Sequence, residues 1–296
     1  EEAWTLPEVP RLPAFIRFVS MAHEDYPPDL FELPQPPLGL FVQGAWPKAL
    51  RASVIGSRKP TPYALRMTRE VVRALVAKGY TIVSGGALGV DTVSHEAALD
   101  AGGHTLVVLG GGLLRLYPRQ NQNLFEEILH RGGALVSEYV PSFEPQKYTF
   151  PERNRIIAGL SSAVFIPEAA ARSGSLHTAQ FAIDSGIDVC ALPGSVTNPL
   201  SEGCHRLIQS GAALIATSDD ITNVLGIAGN PHNVRTKIAA NSEEASLIDL
   251  IESGVHDADE LLQASHLAIT VFNQTLTMLE ITGKIRSGGG NSWYLT

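Results

Sequence analysis

The sequence predicts an α/β chain: a doubly wound, mostly parallel sheet followed by a small C-terminal winged-helix domain. Two patterns carry this. From Ala52 onward short apolar runs recur, each followed by a Gly- or Ser-containing turn and a helix-length periodic segment. Strands apolar on both faces that alternate with helices belong to parallel sheets covered on both sides. After Asp220 the strand signal fades. Three helical segments and a Gly-rich hairpin take its place, the outline of a winged helix-turn-helix.

In chain order, residues 1–50 are rich in proline (Pro27, Pro28, Pro34, Pro36, Pro37, Pro47), which suits extended, wrapping backbone better than helix. They are read as a lead-in packed on the next domain, with Leu38–Val42 as a candidate edge strand. The domain over 51–227 holds candidate strands SVIGS (53–57), YTIVS (80–84), TLVVLG (105–110), ALVSE (134–138), AVFIP (163–167), DVCALP (188–193) and ALIA (213–216). Helical segments fall between them at 63–78, 90–102, 121–131, 174–186 and 201–210. Residues 228–240, which open with AGNPHN, read as a linker. The last domain, 241–296, carries helix candidates at 243–253, 257–264 and 268–282 and the hairpin KIRSGGGNSWYL at 284–295.

A length of 296 residues gives room for one large domain or two ordinary ones. Hydrophobic content of 44% with 18% charged residues excludes a mainly disordered chain. Two cysteines, Cys190 and Cys204, are too few for a disulfide scaffold and read as buried thiols. No run approaches the roughly 20 apolar residues of a membrane span. The opening EEAWTLPEVP is not a basic-then-apolar leader, so a cytoplasmic protein without membrane contact is expected. The net charge of −8 argues against uniform coating of DNA, but its distribution is uneven. Residues 1–50 hold three Lys/Arg against seven Asp/Glu, residues 51–240 seventeen against fifteen, and residues 241–296 two against eight. Affinity for a polyanion is therefore expected in the weakly basic middle.

Ligands of doubly wound sheets bind outside the carboxyl ends of the strands, so the turns there are the candidates for a site. The first is Gly56-Ser57-Arg58-Lys59-Pro60-Thr61: small residues admit a close backbone, and Arg58 with the following helix N-terminus favours an anion. The second, Ser84-Gly85-Gly86-Ala87-Leu88-Gly89-Val90-Asp91, is not G-x-G-x-x-G, but Gly85 and Gly86 offer backbone donors to phosphate. Asp91 reads as a cap or dipole partner of the helix. His95 fits either a catalytic or base-contacting role or a hydrogen-bonded structural one. A third turn leads through Gly110-Gly111-Gly112 to Arg119, expected beside Arg58. Lys147-Tyr148-Thr149-Phe150-Pro151-Glu152-Arg153-Asn154-Arg155 interleaves cations with aromatics. This suits either a single strand, with cations on phosphates and a ring on a base, or a surface loop with packed aromatics. A last phosphate-like turn is Ser173-Gly174-Ser175. No metal-ligand spacing, Walker loop or nucleophile elbow is present, so no metal, cofactor or catalytic residue is expected. The reader helix of the tail lacks Lys and Arg before Lys284, which favours protein contact over duplex binding there.

Together these turns resemble the DprA/Smf family, the DNA-processing proteins of natural transformation. The matching text is VIGSRKPT, SGGALGVDTVSHEAAL, VVLGGGLLRLYPRQN, GALVSEYVP, FPERNRIIAGLS, EAAARSGSLHTA and PGS…SEGCHRLI, and the tail DELLQASHLAITVFNQTLTMLE looks like the family's winged helix. The resemblance implies an extended Rossmann-like domain that binds single-stranded DNA, protects incoming strands, forms a homodimer and loads a RecA-type recombinase. Matched residue by residue, Arg58 and Arg119 fall at basic positions implicated in strand binding. Lys147 and Phe150 fall where the family places a phosphate-contacting lysine and a base-contacting aromatic. The N-terminal SAM-like helical domain common in the family has little room here. The alternative is a nucleotide-processing phosphoribohydrolase of the lysine-decarboxylase-like family, which carries P-G-G-x-G-T-x-x-E. The comparable stretch here is RSGSLHT, with Thr178 at the position of the glutamate.

Overall fold

A computed structural model of the chain describes residues 12–46, 49–226, 242–252, 255–281, 285–289 and 292–295. The chain divides into two compact units between Gly226 and Ile227. The expected linker at 228–240 lies outside the described residues.

The larger unit runs β1 (Ile16–Ser20), β2 (Gly39–Gly44), β3 (Arg51–Val54), α1 (Pro62–Ala77), β4 (Thr81–Ser84), α2 (Val90–Asp100), β5 (Thr105–Val108), α3 (Gln122–His130), β6 (Ala134–Ser137), α4 (Thr149–Gly159), β7 (Ala163–Ile166), α5 (Ser175–Asp184), β8 (Asp188–Ala191), α6 (Glu202–Gln209), β9 (Ala213–Leu214) and α7 (Ser218–Val224). The strands form one sheet in the order β1-β2-β6-β5-β4-β3-β7-β8-β9. From β6 to β9 every pairing is parallel, and β1 and β2 extend the sheet antiparallel. Side chains alternate across the pleat, so each central strand supplies two cores. Leu106 and Val108 of β5 join Ile156 and Ile157 of α4 on one face, while Val107 meets Phe125 and Ile128 of α3 on the other. Burial of each such side chain contributes about 1.5–3 kcal/mol, which is why these runs are apolar throughout.

Three features depart from the sequence expectation. The stretch at Leu38–Val42 is a strand, but β2 is not at the edge: β1 covers it, with Phe18 opposite Phe41. The segment 147–155 is not a loop. It becomes helical at Thr149, and Pro151 is tolerated because it sits in the first turn, where N–H groups have no intrahelical acceptor. Finally, α7 follows Thr217, which forms a capping box with Asp220.

Helix α1 starts with Pro62 after Thr61, whose side chain accepts from the Ala64 N–H at 3.2 Å. Thr61 Oγ1 in turn donates to Glu168 Oε2 at 2.6 Å. This ties the exit of β3 to the exit of β7.

The smaller unit contains α8 (Ser242–Glu252), α9 (Ala258–Ser265), α10 (Ile269–Ile281) and the antiparallel pair β10 (Ile285–Gly289) and β11 (Ser292–Leu295). Leu247, Ile248, Ile251, Leu261, Phe272, Leu276, Leu279 and Ile285 form its core. Asp257 caps α9, accepting from the Asp259 and Glu260 amides. The β11 strand is pinned by the Trp293 N–H on the His256 carbonyl at 2.8 Å. This is the winged-helix outline: three helices closed by a two-stranded wing.

Candidate nucleic-acid interface

Across the sheet, chain order runs backward from β6 to β3 and forward from β7 to β9, so it reverses between β3 and β7. Loops leaving adjacent strands at such a switch point diverge and open a crevice at the carboxyl edge. A cavity of about 570 Å³ opens among the loops that leave these two strands. The exit of β3 lines it with Gly56 and Arg58. The exit of β7 and start of α5 supply Ser173, Gly174, Ser175 and Thr178, and the approach to α4 supplies Lys147, Phe150, Arg153 and Asn154. Nine of the residues singled out from sequence thus come together; Ser57, Gly85, Gly86 and Arg119 do not line this cavity.

The loop residues among these four brace the wall, and Gly85 also lines a small adjoining pocket with Arg58, Tyr117 and Phe150. The Ser57 N–H donates to the Glu168 carbonyl at 2.9 Å, its carbonyl accepts from Val90 N–H at 3.0 Å, and its hydroxyl accepts from Lys59 N–H. Gly89 makes the close approach to this loop possible: its φ is +86°, and a Cβ there would lie 2.4 Å from the Ser57 carbonyl oxygen. Gly85 was expected to present its amide to phosphate, but that N–H, with the one of Ala87, donates to Asp91 Oδ2 at 3.1 and 3.2 Å. An internal carboxylate has taken the place of the anion. Gly86 is pressed against Val107 and Phe125, and its carbonyl accepts from Asn121 Nδ2 at 2.9 Å.

Asp91 therefore does more than complement a helix. Its carboxylate lines the cavity, anchors the glycine loop and faces Arg153. Arg153 is 5% exposed and donates to the carbonyls of Gly85 and Val108. Burial pushes the Asp91 carboxyl above its ordinary range against the pull of Arg153 and the loop amides. Burial likewise lowers the Arg153 guanidinium to about 10, with Asp91 opposing and Arg58 adding to the shift. On both groups desolvation outweighs the attraction between the two charges. Arg153 is thus a rigid floor, not a mobile phosphate clamp.

The groups free to meet a ligand stand at the rim. Arg58 and Lys147 are exposed. The Arg58 guanidinium lies 6.0 Å from the centre of the Phe150 ring, within cation–π range. Phe150 rests on Gly110, and its ring centre is 5.7 Å from that of Tyr117. Ser173 and Ser175 share a hydroxyl hydrogen bond of 2.7 Å at the start of α5, and the Asn154 amide donates to the Gly174 carbonyl at 3.4 Å. Tyr117, 49% exposed, was passed over in the sequence. Its signal was an aromatic at a turn immediately before Pro118 and Arg119. Arg119 lines a neighbouring cavity that shares Tyr117 with the first, while Pro118 and Gln120 on either side of it line a small third one with Arg58.

His95 resolves to the structural reading. It is fully buried in α2, with Nδ1 2.6 Å from Thr105 Oγ1. That hydroxyl donates to the Ile82 carbonyl, so the imidazole must be the donor at Nδ1, leaving Nε2 unprotonated and without a partner. Burial lowers its pKa to about 3. Cys190 and Cys204 are buried, and burial pushes both thiols up to about 12. Thr178 occupies the cavity wall where the phosphoribohydrolase motif carries its glutamate. Among the described residues, no cluster of His, Cys, Asp or Glu suits a metal ion, and no helix is long and apolar enough to cross a membrane.

The architecture is that of a Rossmann-like sheet with a cation- and aromatic-rimmed crevice at its switch point, followed by a winged helix. A family model described as DNA recombination-mediator protein A matches residues 17–226, and one described as the DprA winged helix domain matches residues 231–291. The chain belongs to the DNA recombination-mediator protein A family, the DprA/Smf proteins. Protein Smf of Escherichia coli K12 is 45% identical over 200 residues, 67% of this chain and 54% of that protein. DNA processing protein DprA of Streptococcus pneumoniae R6 is 40% identical over 223 residues, 75% of this chain and 77% of that one. The solved structure of S. pneumoniae DprA aligns with a TM-score of 0.66 at 40% identity, covering 70% of this chain and 74% of its own. That of Helicobacter pylori DNA processing protein A, described for its single-stranded DNA binding mode, aligns with a TM-score of 0.64 at 32% identity, covering 71% and 95%. The chain spans about half the length, 54%, of the E. coli and Synechocystis Smf proteins.

Proposed function

We propose that the larger unit binds single-stranded DNA in the crevice between β3 and β7, and that it acts by holding the strand, not by catalysis. The observation that carries this is the rim itself: exposed Arg58 and Lys147 flank the ring pair Phe150 and Tyr117 over one open cavity. Cations meet phosphates, and a ring stacks on a base that only an unpaired strand exposes. Gly56, Asn154, Ser173, Gly174 and Ser175 form the walls, while Ser57, Gly85, Gly86 and Arg153 hold those walls in place. The H. pylori relative described for single-stranded DNA binding supports this reading.

On the same reading the chain protects incoming strands in natural transformation and passes them to a RecA-type recombinase. It does so in the cytoplasm, as a homodimer joined through the larger unit. The description of the family as recombination mediators supports this. Recombinase filament growth on strands coated with single-strand binding protein should quicken when the chain is added, and light scattering should report two copies.

The direct test is a salt titration of binding to a short homopolymer strand beside the matching duplex. The single strand should bind more tightly, with affinity falling steeply as salt rises. Arg58→Ala should weaken binding across sequences and lower the salt slope by about 0.7–1. Equal, salt-insensitive affinity for strand and duplex would overturn the proposal.

A further inference from the structure

The crevice is not the end of the strand's path. Beside it lies a second cavity of about 640 Å³, lined by Gln43, Tyr117, Arg119, Gln122 and Glu126 among others, a size suited to a small ligand. Tyr117 is the wall common to both cavities. Its ring is half-exposed and 5.7 Å from Phe150, the ring of the first cavity.

The two cavities differ in their chemistry. The first is rimmed by Arg58 and Lys147, while the second carries acceptors: Gln122 Nε2 donates to Glu126 Oε1 at 3.3 Å. That bond leaves Gln122 with its carbonyl and one further N–H, while Glu126, a carboxylate, keeps lone pairs and can only accept. Arg119 is exposed and without an ion-pair partner among the described residues. Arg115, also in the lining, is held by Glu144 at 3.0 Å. A carboxylate wall repels phosphate but accepts from an exocyclic amine, the pairing that glutamate makes with cytosine N4.

Building on the single-strand reading above, we infer that the second cavity is a nucleotide subsite. Tyr117 stacks on the base that follows the one in the crevice, Arg119 takes its phosphate, and the acceptor-only carboxylate of Glu126 favours a base bearing an exocyclic amino group. Cytosine presents N4–H2 to this acceptor. Thymine presents O4 at the same position and is disfavoured.

The test is fluorescence anisotropy of the full chain with labelled deoxycytidine and deoxythymidine homopolymers at neutral pH and one salt concentration. The wild type should favour the cytosine strand by about three- to tenfold, the net worth of one ordinary hydrogen bond. Glu126→Gln should bring the ratio to within about twofold, since an amide both donates and accepts. The ratio is the readout, because removing a carboxylate strengthens binding of any polyanion. Tyr117→Ala should weaken both strands by at least about fivefold, the loss of one stacked base, and Tyr117→Phe should restore them. Absence of any strand binding by the wild type would overturn the single-strand function itself. Strand binding that Arg58→Ala weakens, but with equal affinity for the two homopolymers or indifference to Tyr117→Ala, would overturn the subsite and leave the function standing.

Discussion

Acidification should unfold the larger unit through His95. The imidazole is fully buried, donates from Nδ1 to Thr105, and leaves Nε2 without a hydrogen bond, so a proton on Nε2 would be a buried, unpaired charge. The native pKa is lowered from 6.5 to about 3, by burial first and by the charge of Arg153 second. Between those values the unfolded chain binds a proton that the native state refuses. The unfolded state therefore holds more protons in this window, and stability falls as pH drops, with a slope approaching ~1.4 kcal/mol per pH unit. At about pH 4.5, about two units below the unfolded pKa, the accumulated loss is ~2.7 kcal/mol. Urea unfolding followed by circular dichroism at a series of pH values measures it. His95→Asn serves as the reference, because its Nδ2 can take over the bond from Nδ1 to Thr105 while carrying no titrating group. Carboxylates contribute equally to both proteins and cancel in the difference. The difference should be flat above about pH 7 and grow to about 2–3 kcal/mol by pH 4.5. Parallel pH profiles for the two proteins would refute the reasoning and reopen a solvent-accessible role for this histidine.

Other consequences follow from the floor and the loops of the crevice. Asp91→Ala removes the acceptor of the Gly85 and Ala87 amides; it should cost about 1–3 kcal/mol for each amide left buried and unpaired in calorimetry, and a loss below about 1 kcal/mol would show that water takes over those bonds. Gly89→Ala forces a Cβ to within 2.4 Å of the Ser57 carbonyl at a φ of +86°; it should destabilise by about 1–3 kcal/mol or more and weaken strand binding by displacing Arg58. Deleting residues 241–296 should leave most single-strand affinity intact, since that segment holds two Lys/Arg against eight Asp/Glu; loss of nearly all binding in the anisotropy titration would show that the charge argument fails.

Much of the fold was legible because local pattern and tertiary role agree. The runs at 80–84, 105–110, 134–138 and 163–167 are apolar on both faces because helices cover both sides of the sheet, and each became a strand. Helix α4 escaped notice for the opposite reason. Its first turns carry Pro151, Glu152, Arg153 and Asn154, and no apolar stripe marks them as helical. Pro151, Arg153 and Asn154 line the cavity, and Glu152 accepts from the Tyr139 hydroxyl. Strand β1 was missed since Ile16–Ser20 sits in a proline-rich stretch, and its only claim to strand structure is a partner, β2, more than a dozen residues away.

The sequence by itself determined where along the chain the site lies. Glycine and serine at strand ends, cations beside them, and the confinement of basic charge to the middle domain are local properties, and they mark the turns without coordinates. Only the tertiary structure decided what each turn does. Gly85 looks like a phosphate donor until Asp91 is seen to hold its amide, and Arg153 looks like a clamp until burial shows it bound to carbonyls. Arg58 and Arg119 belong to two cavities, and only the fold shows that Tyr117 is the wall they share. The physical reason is the same in each case. A polar group's partner is chosen by proximity in space, and the 62 residues from Asp91 to Arg153 are joined across the sheet by nothing that the chain between them records.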